Sequence, residues 1–135
     1  MALIVWNDKL SVNVKEIDEQ HKRLIGIINE LHDGMKSGSG KTVVAPILKR
    51  LVDYSLYHFS TEERYMSLHR YPGELTHKAE HKKFTANVVD FHQRFSDGTA
   101  AVSLELMVFL KGWLTDHIMG TDKQYSKHFN DHGLK

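Results

Sequence analysis

Cysteine is absent from the 135 residues of the chain, which excludes disulfides and every thiolate metal site. Proline is nearly absent, and the predicted breaks fall at the segments SGSGK, YPGE and SDGT. No apolar stretch approaches the roughly 20 residues that a membrane helix needs, and the N-terminal run ALIVW is too short for a signal peptide. We therefore expect a cytoplasmic protein without membrane insertion.

A large net charge is also missing, because 18 Lys and Arg residues stand against 17 Asp and Glu residues. No basic cluster suggests a surface for phosphate groups or lipid head groups. Nucleic acid and membrane are therefore not expected as partners. The chain length suits one domain over residues 1–135 with a single continuous core.

Apolar residues recur at helical spacing between the breaks, which predicts an all-α protein. Short connections make successive helices antiparallel, so the expected fold is an up-down-up-down four-helix bundle. Residues 1–17 form an irregular N-terminal arm, in which we expect the apolar residues to dock on the bundle: Leu3, Ile4, Val5 and Trp6. Pro72 ends the second helix, and the predicted helices cover residues 18–37, 43–70, 74–95 and 100–118.

The end of the fourth helix predicts a short additional helix. Asp122 follows His117 by five residues, and five steps of 100° carry it about 140° around an α-helix. An unbroken helix would therefore direct the two side chains apart. Gly120 suggests a break, and Thr121 with Gln124 matches a capping box for a new C-terminal helix. After such a break, Asp122 could turn back towards His117.

Histidine is unusually abundant, with 10 residues, and several histidines fall at one end of the predicted bundle. The pairs His58/Glu62 and His77/His81 each have i, i+4 spacing, which places both side chains on one helix face. Any one of these residues alone is most simply a solvated or hydrogen-bonded side chain. Together they are costly to bury without an ion to coordinate. The sequence therefore predicts a metal site with seven ligands: His21, His58, Glu62, His77, His81, His117 and Asp122.

The ligand types narrow the choice of metal. Imidazole and carboxylate without thiolate suit Fe, Mn, Zn, Cu or Ni, and seven ligands exceed the four of a structural zinc site. Two metals bridged by carboxylates fit better. Ferritin-like di-iron bundles use four Glu and two His, whereas this set has more imidazole and less negative charge. This less negative ligand set should favour a pair of ferrous ions over higher oxidation states, and a reaction with oxygen that stops before oxygen is activated.

At these residues the sequence resembles the hemerythrin family, specifically the standalone bacterial hemerythrins. Four motifs in order and at suitable separations carry the resemblance across nearly the whole chain: IDEQHKRL (17–24), HFSTEERYM (58–66), YPGELTHKAEHKKF (71–84) and WLTDHIMGTDKQY (113–125). Each motif is weak alone, but the ordered set is specific.

The resemblance implies a non-haem di-iron centre that binds oxygen reversibly. By the family pattern, one iron is held by His77, His81 and His117, and the other, which keeps an open position, by His21 and His58. Glu62 and Asp122 bridge the irons together with an oxo or hydroxo group. The resemblance also places five apolar residues around the oxygen site, where ordinary core packing is the simpler interpretation: Leu24, Phe59, Trp113, Leu114 and Ile118.

We thus expect a monomeric oxygen-binding protein that is not an enzyme and that stores oxygen or delivers it to oxygen-consuming enzymes. Three alternatives stay open: a sensor of oxygen or nitric oxide acting through a partner, a di-iron oxidase or peroxidase, and a metal-free helical interaction module. The enzyme would need a further acid or base, and the sequence shows none beyond three tyrosines that stay open for that role: Tyr54, Tyr57 and Tyr65. The other histidines are expected to be structural or rim residues (His32, His69, His92) or solvated in the C-terminal tail (His128, His132).

Overall fold

The computed structural model describes residues 3–36, 41–96 and 102–135. Four long helices pack in sequence order, and the first also contacts the fourth, which closes the bundle. A π-helical turn, His117–Asp122, leads from the fourth helix into a short fifth one. The helices are α1 (Lys15–Lys36), α2 (Lys41–Leu68), α3 (Glu74–Ser96), α4 (Val102–Asp116) and α5 (Lys123–Asp131). The described residues contain no strand, and the predicted all-α bundle with a C-terminal helix is confirmed.

The helix ends differ from the predicted ones by a few residues. Helix α1 begins at Lys15, and Asp18 in its first turn accepts hydrogen bonds from the backbone N–H of Val12 and the hydroxyl of Ser11. Helix α2 ends at Leu68, because Arg70 adopts a left-handed conformation with φ of 53° just before Pro72. The predicted breaks at residues 37–40 and 97–99, and the predicted start at residue 100, lie outside the described residues.

The N-terminal arm docks on the bundle as predicted, with one exception. Leu3, Ile4 and Trp6 pack against the main core, and the Asn29 side chain pairs with both the N–H and the C=O of Ile4 at 2.9 and 2.8 Å. The prediction was wrong for Val5, whose side chain is 70% exposed, because its neighbours on either side point inward. The arm is also less irregular than expected, since Asp8–Leu10 forms a 3-10 helix.

The core consists of two apolar clusters separated along the bundle axis. On α1, Ile17 belongs to the smaller cluster and Leu24 to the larger, with His21 between them. On α2, Phe59 and Met66 likewise belong to different clusters on either side of Glu62. The bundle therefore encloses a polar layer between two apolar ones.

The predicted break at Gly120 is wrong. Gly120 lies inside the π-helical turn with negative φ, and no side chain caps the start of α5. The i→i+5 hydrogen bonding of a π-helix brings residues five apart onto one face, so His117 and Asp122 meet without a break. The hydroxyl of Thr121, expected to cap a new helix, instead donates to Glu80 at 3.0 Å.

Among the described residues, no helix combines the length and apolar character required to cross a bilayer.

Candidate metal centre

All seven predicted ligands lie inside the protein, in the polar layer. Their exposed fractions are at most 3%, so none is a solvated surface residue. They come from α1, α2, α3 and the π-helical turn, and their ligand atoms form two overlapping groups, each within 4.8 Å. The three-histidine group is His77, His81 and His117 with Glu62 and Asp122. The two-histidine group is His21 and His58 with the same two carboxylates.

Asp122 directs its two oxygens towards different groups. Its Oδ1 lies 2.9 Å from Nε2 of both His77 and His117, while its Oδ2 lies 3.1 Å from Nε2 of His21. Oε1 of Glu62 lies 3.0 Å from Nε2 of His58 and 3.4 Å from Nε2 of His81. Both carboxylates therefore stand between the two histidine groups, where a bridging ligand would be placed.

Many of these inward-facing atoms lack hydrogen bonds within the described part of the chain. They include Nε2 of His21, His77, His81 and His117, both oxygens of Asp122, and Oε1 of Glu62. The nitrogen–oxygen distances are short, but the groups do not meet at hydrogen-bond angles. Burying so many unsatisfied polar atoms is costly, and coordination to a metal would satisfy all of them. The residues present thus fit a metal centre.

The charges of the cluster support the same interpretation. Burial would raise the pKa of Asp122 and Glu62, but the surrounding imidazoles, led by His117 and His58 respectively, hold both pKa values below their ordinary range. Burial lowers the pKa of His117, yet the facing carboxylates of Asp122 and Glu62 outweigh it and raise that pKa to about 9. The metal-free centre therefore keeps charged carboxylates and a protonated histidine, and a metal ion would displace that proton.

Three histidines are oriented by hydrogen bonds from their outer nitrogens. Nδ1 of His81 donates to Glu63 at 2.8 Å, and Nδ1 of His117 donates to Glu80 at 3.1 Å. Because a carboxylate only accepts, each ring carries a proton on Nδ1, and Nε2 is the nitrogen left for a metal, which in His117 would displace the second proton. This is the tautomer that metal binding requires at Nε2.

His58 reaches the same tautomer through a neutral partner. The Thr61 hydroxyl donates to the Tyr57 carbonyl, so Thr61 Oγ1 accepts from Nε2 of Gln20 at 3.3 Å. This orients the Gln20 amide with Oε1 towards Nδ1 of His58, at 2.7 Å, and Nδ1–H donates to it.

A family model described as "Hemerythrin HHE cation binding domain" matches residues 12–128. The chain belongs to the hemerythrin family. It is 36% identical to a bacteriohemerythrin of Stenotrophomonas maltophilia (strain R551-3), over 98% of this chain and 85% of that protein. It is 35% identical to a bacteriohemerythrin of Methylococcus capsulatus (strain Bath), over 93% of this chain and 95% of that protein. A crystal structure of wild-type hemerythrin superposes with a TM-score of 0.87 at 34% identity, covering 93% of this chain and 97% of that one.

Two of the five apolar residues expected around an oxygen site stack on ligands of this hemerythrin cluster. Phe59 stacks on His81 with ring centroids 3.9 Å apart, and Trp113 stacks on His117 at 4.3 Å. Both therefore contact the three-histidine group. Leu24, Leu114 and Ile118 are buried in the larger core cluster, and Trp113 is partly buried against it. Their role around an oxygen site stays a prediction.

Several polar residues of this hemerythrin site were not predicted from the sequence: Gln20, Glu63, Glu80, Thr121 and Tyr125. The Tyr125 hydroxyl is buried and donates to Oε2 of Glu62, while its ring stacks on His77 at 5.5 Å. Tyr65, one of the three tyrosines considered as an acid or base, instead donates to Glu16 near the surface. For three of them the sequence held a signal that could have predicted a role at the site. Gln20, Glu63 and Glu80 each directly adjoin a predicted ligand in the sequence.

The remaining histidines belong to neither metal group. His32, His69 and His92 are half-buried, in line with a structural or rim position. The prediction that His128 is solvated in a C-terminal tail is wrong. His128 lies in α5, and its Nε2 is 2.6 Å from the His69 carbonyl oxygen. His132 is exposed, and its Nδ1 lies 2.7 Å from the His128 carbonyl.

Proposed function

We propose that this hemerythrin binds oxygen reversibly at two iron ions, one in each histidine group. The observation that carries the proposal is the overlap of the two groups in Glu62 and Asp122. Two ions sharing two carboxylates lie close enough to act on one oxygen molecule. A ferrous pair, when bound, supplies two electrons that an oxygen molecule can take up and return.

The unequal number of histidines supports an open position in the two-histidine group. Each group has the same two carboxylates, but the two-histidine group offers one ligand fewer. Its four protein ligands leave room for an external molecule, as in metal centres that bind a substrate. The three-histidine group is more nearly complete and would hold its ion without an external ligand.

The surroundings favour binding over catalysis. Leu24, Leu114 and Ile118 are each about 1% exposed and lie within four residues of a ligand histidine, and an apolar wall formed by them would keep water from a bound ligand. The Tyr125 hydroxyl lies at the ligand cluster, but it already donates its hydrogen bond to Glu62. We therefore propose a carrier rather than an enzyme. Storage or delivery to an oxygen-consuming enzyme, a monomeric state and a cytoplasmic location stay predictions that belong to this proposal.

The test is an absorption spectrum of the anaerobically reduced, iron-loaded protein before and after exposure to oxygen. We expect a charge-transfer band that appears with oxygen and disappears when oxygen is removed, over several cycles. A band that decays after one exposure while an added reductant is consumed would instead indicate an oxidase or peroxidase. Absence of iron and of any band would leave a metal-free helical module.

A further inference from the structure

The polar side chains behind the ligand histidines differ in charge between the two groups. In the three-histidine group, His81 and His117 each donate from Nδ1 to a carboxylate, Glu63 or Glu80. In the two-histidine group, His58 donates to the neutral amide of Gln20. Nδ1 of His21 has no hydrogen-bond partner among the residues that the structure describes, and the same holds for Nδ1 of His77 in the three-histidine group. The outer layer is therefore anionic on one side of the centre only.

Burial explains why the charges lie on that side. The side chains of Glu63 and Glu80 are 32% and 39% exposed, so their carboxylates keep part of their hydration. Gln20 is only 6% exposed, and a charge there would lose most of its hydration. Glu80 is also held in place by the Thr121 hydroxyl, which lies within 3.2 Å of both carboxylate oxygens.

We propose that Glu63 and Glu80 are positioning residues that make the two metal positions unequal beyond their ligand number. A carboxylate that accepts Nδ1–H fixes the ring orientation and makes Nε2 a stronger donor to a metal. The three-histidine position is thereby the one that retains its ion, and the two-histidine position releases its ion first. This inference rests on the two-ion centre of the proposed function, but not on oxygen binding.

The test uses ferrous iron alone, loaded anaerobically, and follows its removal by an excess of chelator. We expect wild-type protein to release iron in two phases of one ion each. Glu63→Ala and Glu80→Ala should each weaken retention in the slow phase by about 10- to 100-fold and leave the fast phase unchanged. For Glu63→Gln and Glu80→Gln, iron retention in the slow phase should lie between that of wild type and that of the alanine variants, because glutamine keeps an acceptor oxygen but loses the charge. Glu19→Ala, at a carboxylate exposed by 61%, is the matched control and should behave as wild type.

Gln20→Glu tests the same idea from the other side of the centre. It places a carboxylate behind His58, and we expect the fast phase to slow towards the slow one. Thermal unfolding of each metal-free variant separates this effect from a structural one, since a purely structural role would speed both phases in proportion to the lost stability.

Three results would overturn the inference: a single release phase in the wild type, unchanged slow phases in both alanine variants, or equal acceleration of both phases. An iron content of one per wild-type chain would contradict the two-ion centre as well. Normal two-phase release without a reversible oxygen band would contradict the proposed function alone.

Discussion

The hydroxyl of Tyr125 is a buried donor to Glu62, one of the two shared carboxylates. Burial raises the pKa of Tyr125 well above its ordinary value, and the nearby carboxylates raise it further, so the group stays protonated. Tyr125→Phe keeps the ring but leaves Oε2 of Glu62 without this donor. We expect a loss of about 1–3 kcal/mol in the free energy of unfolding of the metal-free protein, measured by urea denaturation.

Tyr71→Phe is the matched control for this change. Tyr71 packs against the same apolar cluster, and its hydroxyl makes no hydrogen bond within the described chain. We expect its free energy of unfolding to stay within about 0.5 kcal/mol of wild type. Equal losses in the two variants would show that the Tyr125 hydroxyl contributes nothing specific.

Leu114 lies one helical turn before His117 and is 1% exposed. Leu114→Ala should leave a cavity that costs about 2–5 kcal/mol and should admit water towards the cluster. If oxygen binds as proposed, the oxygenated absorption band should decay faster while both irons are retained. Leu110→Ala is the control, because Leu110 is equally buried but one turn farther from His117. Equal decay rates in the two iron-replete variants would place Leu114 in the general core.

At the scale of the element, the π-helical turn determines the position of Asp122. It brings Asp122 to 2.9 Å from His117, and this carboxylate also faces His21 and His77. Asp122→Ala should therefore remove a shared ligand and lower the iron content of the purified protein below two per chain. Asp131→Ala, at an exposed residue paired with Lys127, should retain both irons. Equal iron content by elemental analysis would argue against a ligand role for Asp122.

At the scale of the whole molecule, the metal centre joins α1, α2, α3 and the π-helical turn. An ion bound there stabilises the folded state alone, since the unfolded chain does not hold these ligands together. We expect iron-loaded protein to contain two irons per chain and to unfold at a higher temperature than metal-free protein. Calorimetry of both forms, with elemental analysis, tests this. Identical unfolding temperatures at full iron loading would contradict ligation across the bundle.

The helical period accounts for what could be predicted locally. His58 and Glu62 share a face of α2, and their side chains meet at 3.0 Å. His77 and His81 share a face of α3, with ring centroids 4.6 Å apart. The period failed at His117 and Asp122, because a π-helical turn changes it and the glycine there suggested a break instead.

The sequence by itself determined the helices, the antiparallel order and the seven residues that the bundle brings together. Only the tertiary structure decided which polar residue supports which histidine. Gln20, Glu63 and Glu80 each adjoin one predicted ligand but contact a histidine on another element: His58, His81 and His117, respectively. The reason is physical: spacing along a helix selects a face, whereas the rotation and axial offset between helices, set by core packing, select the partner across the interface.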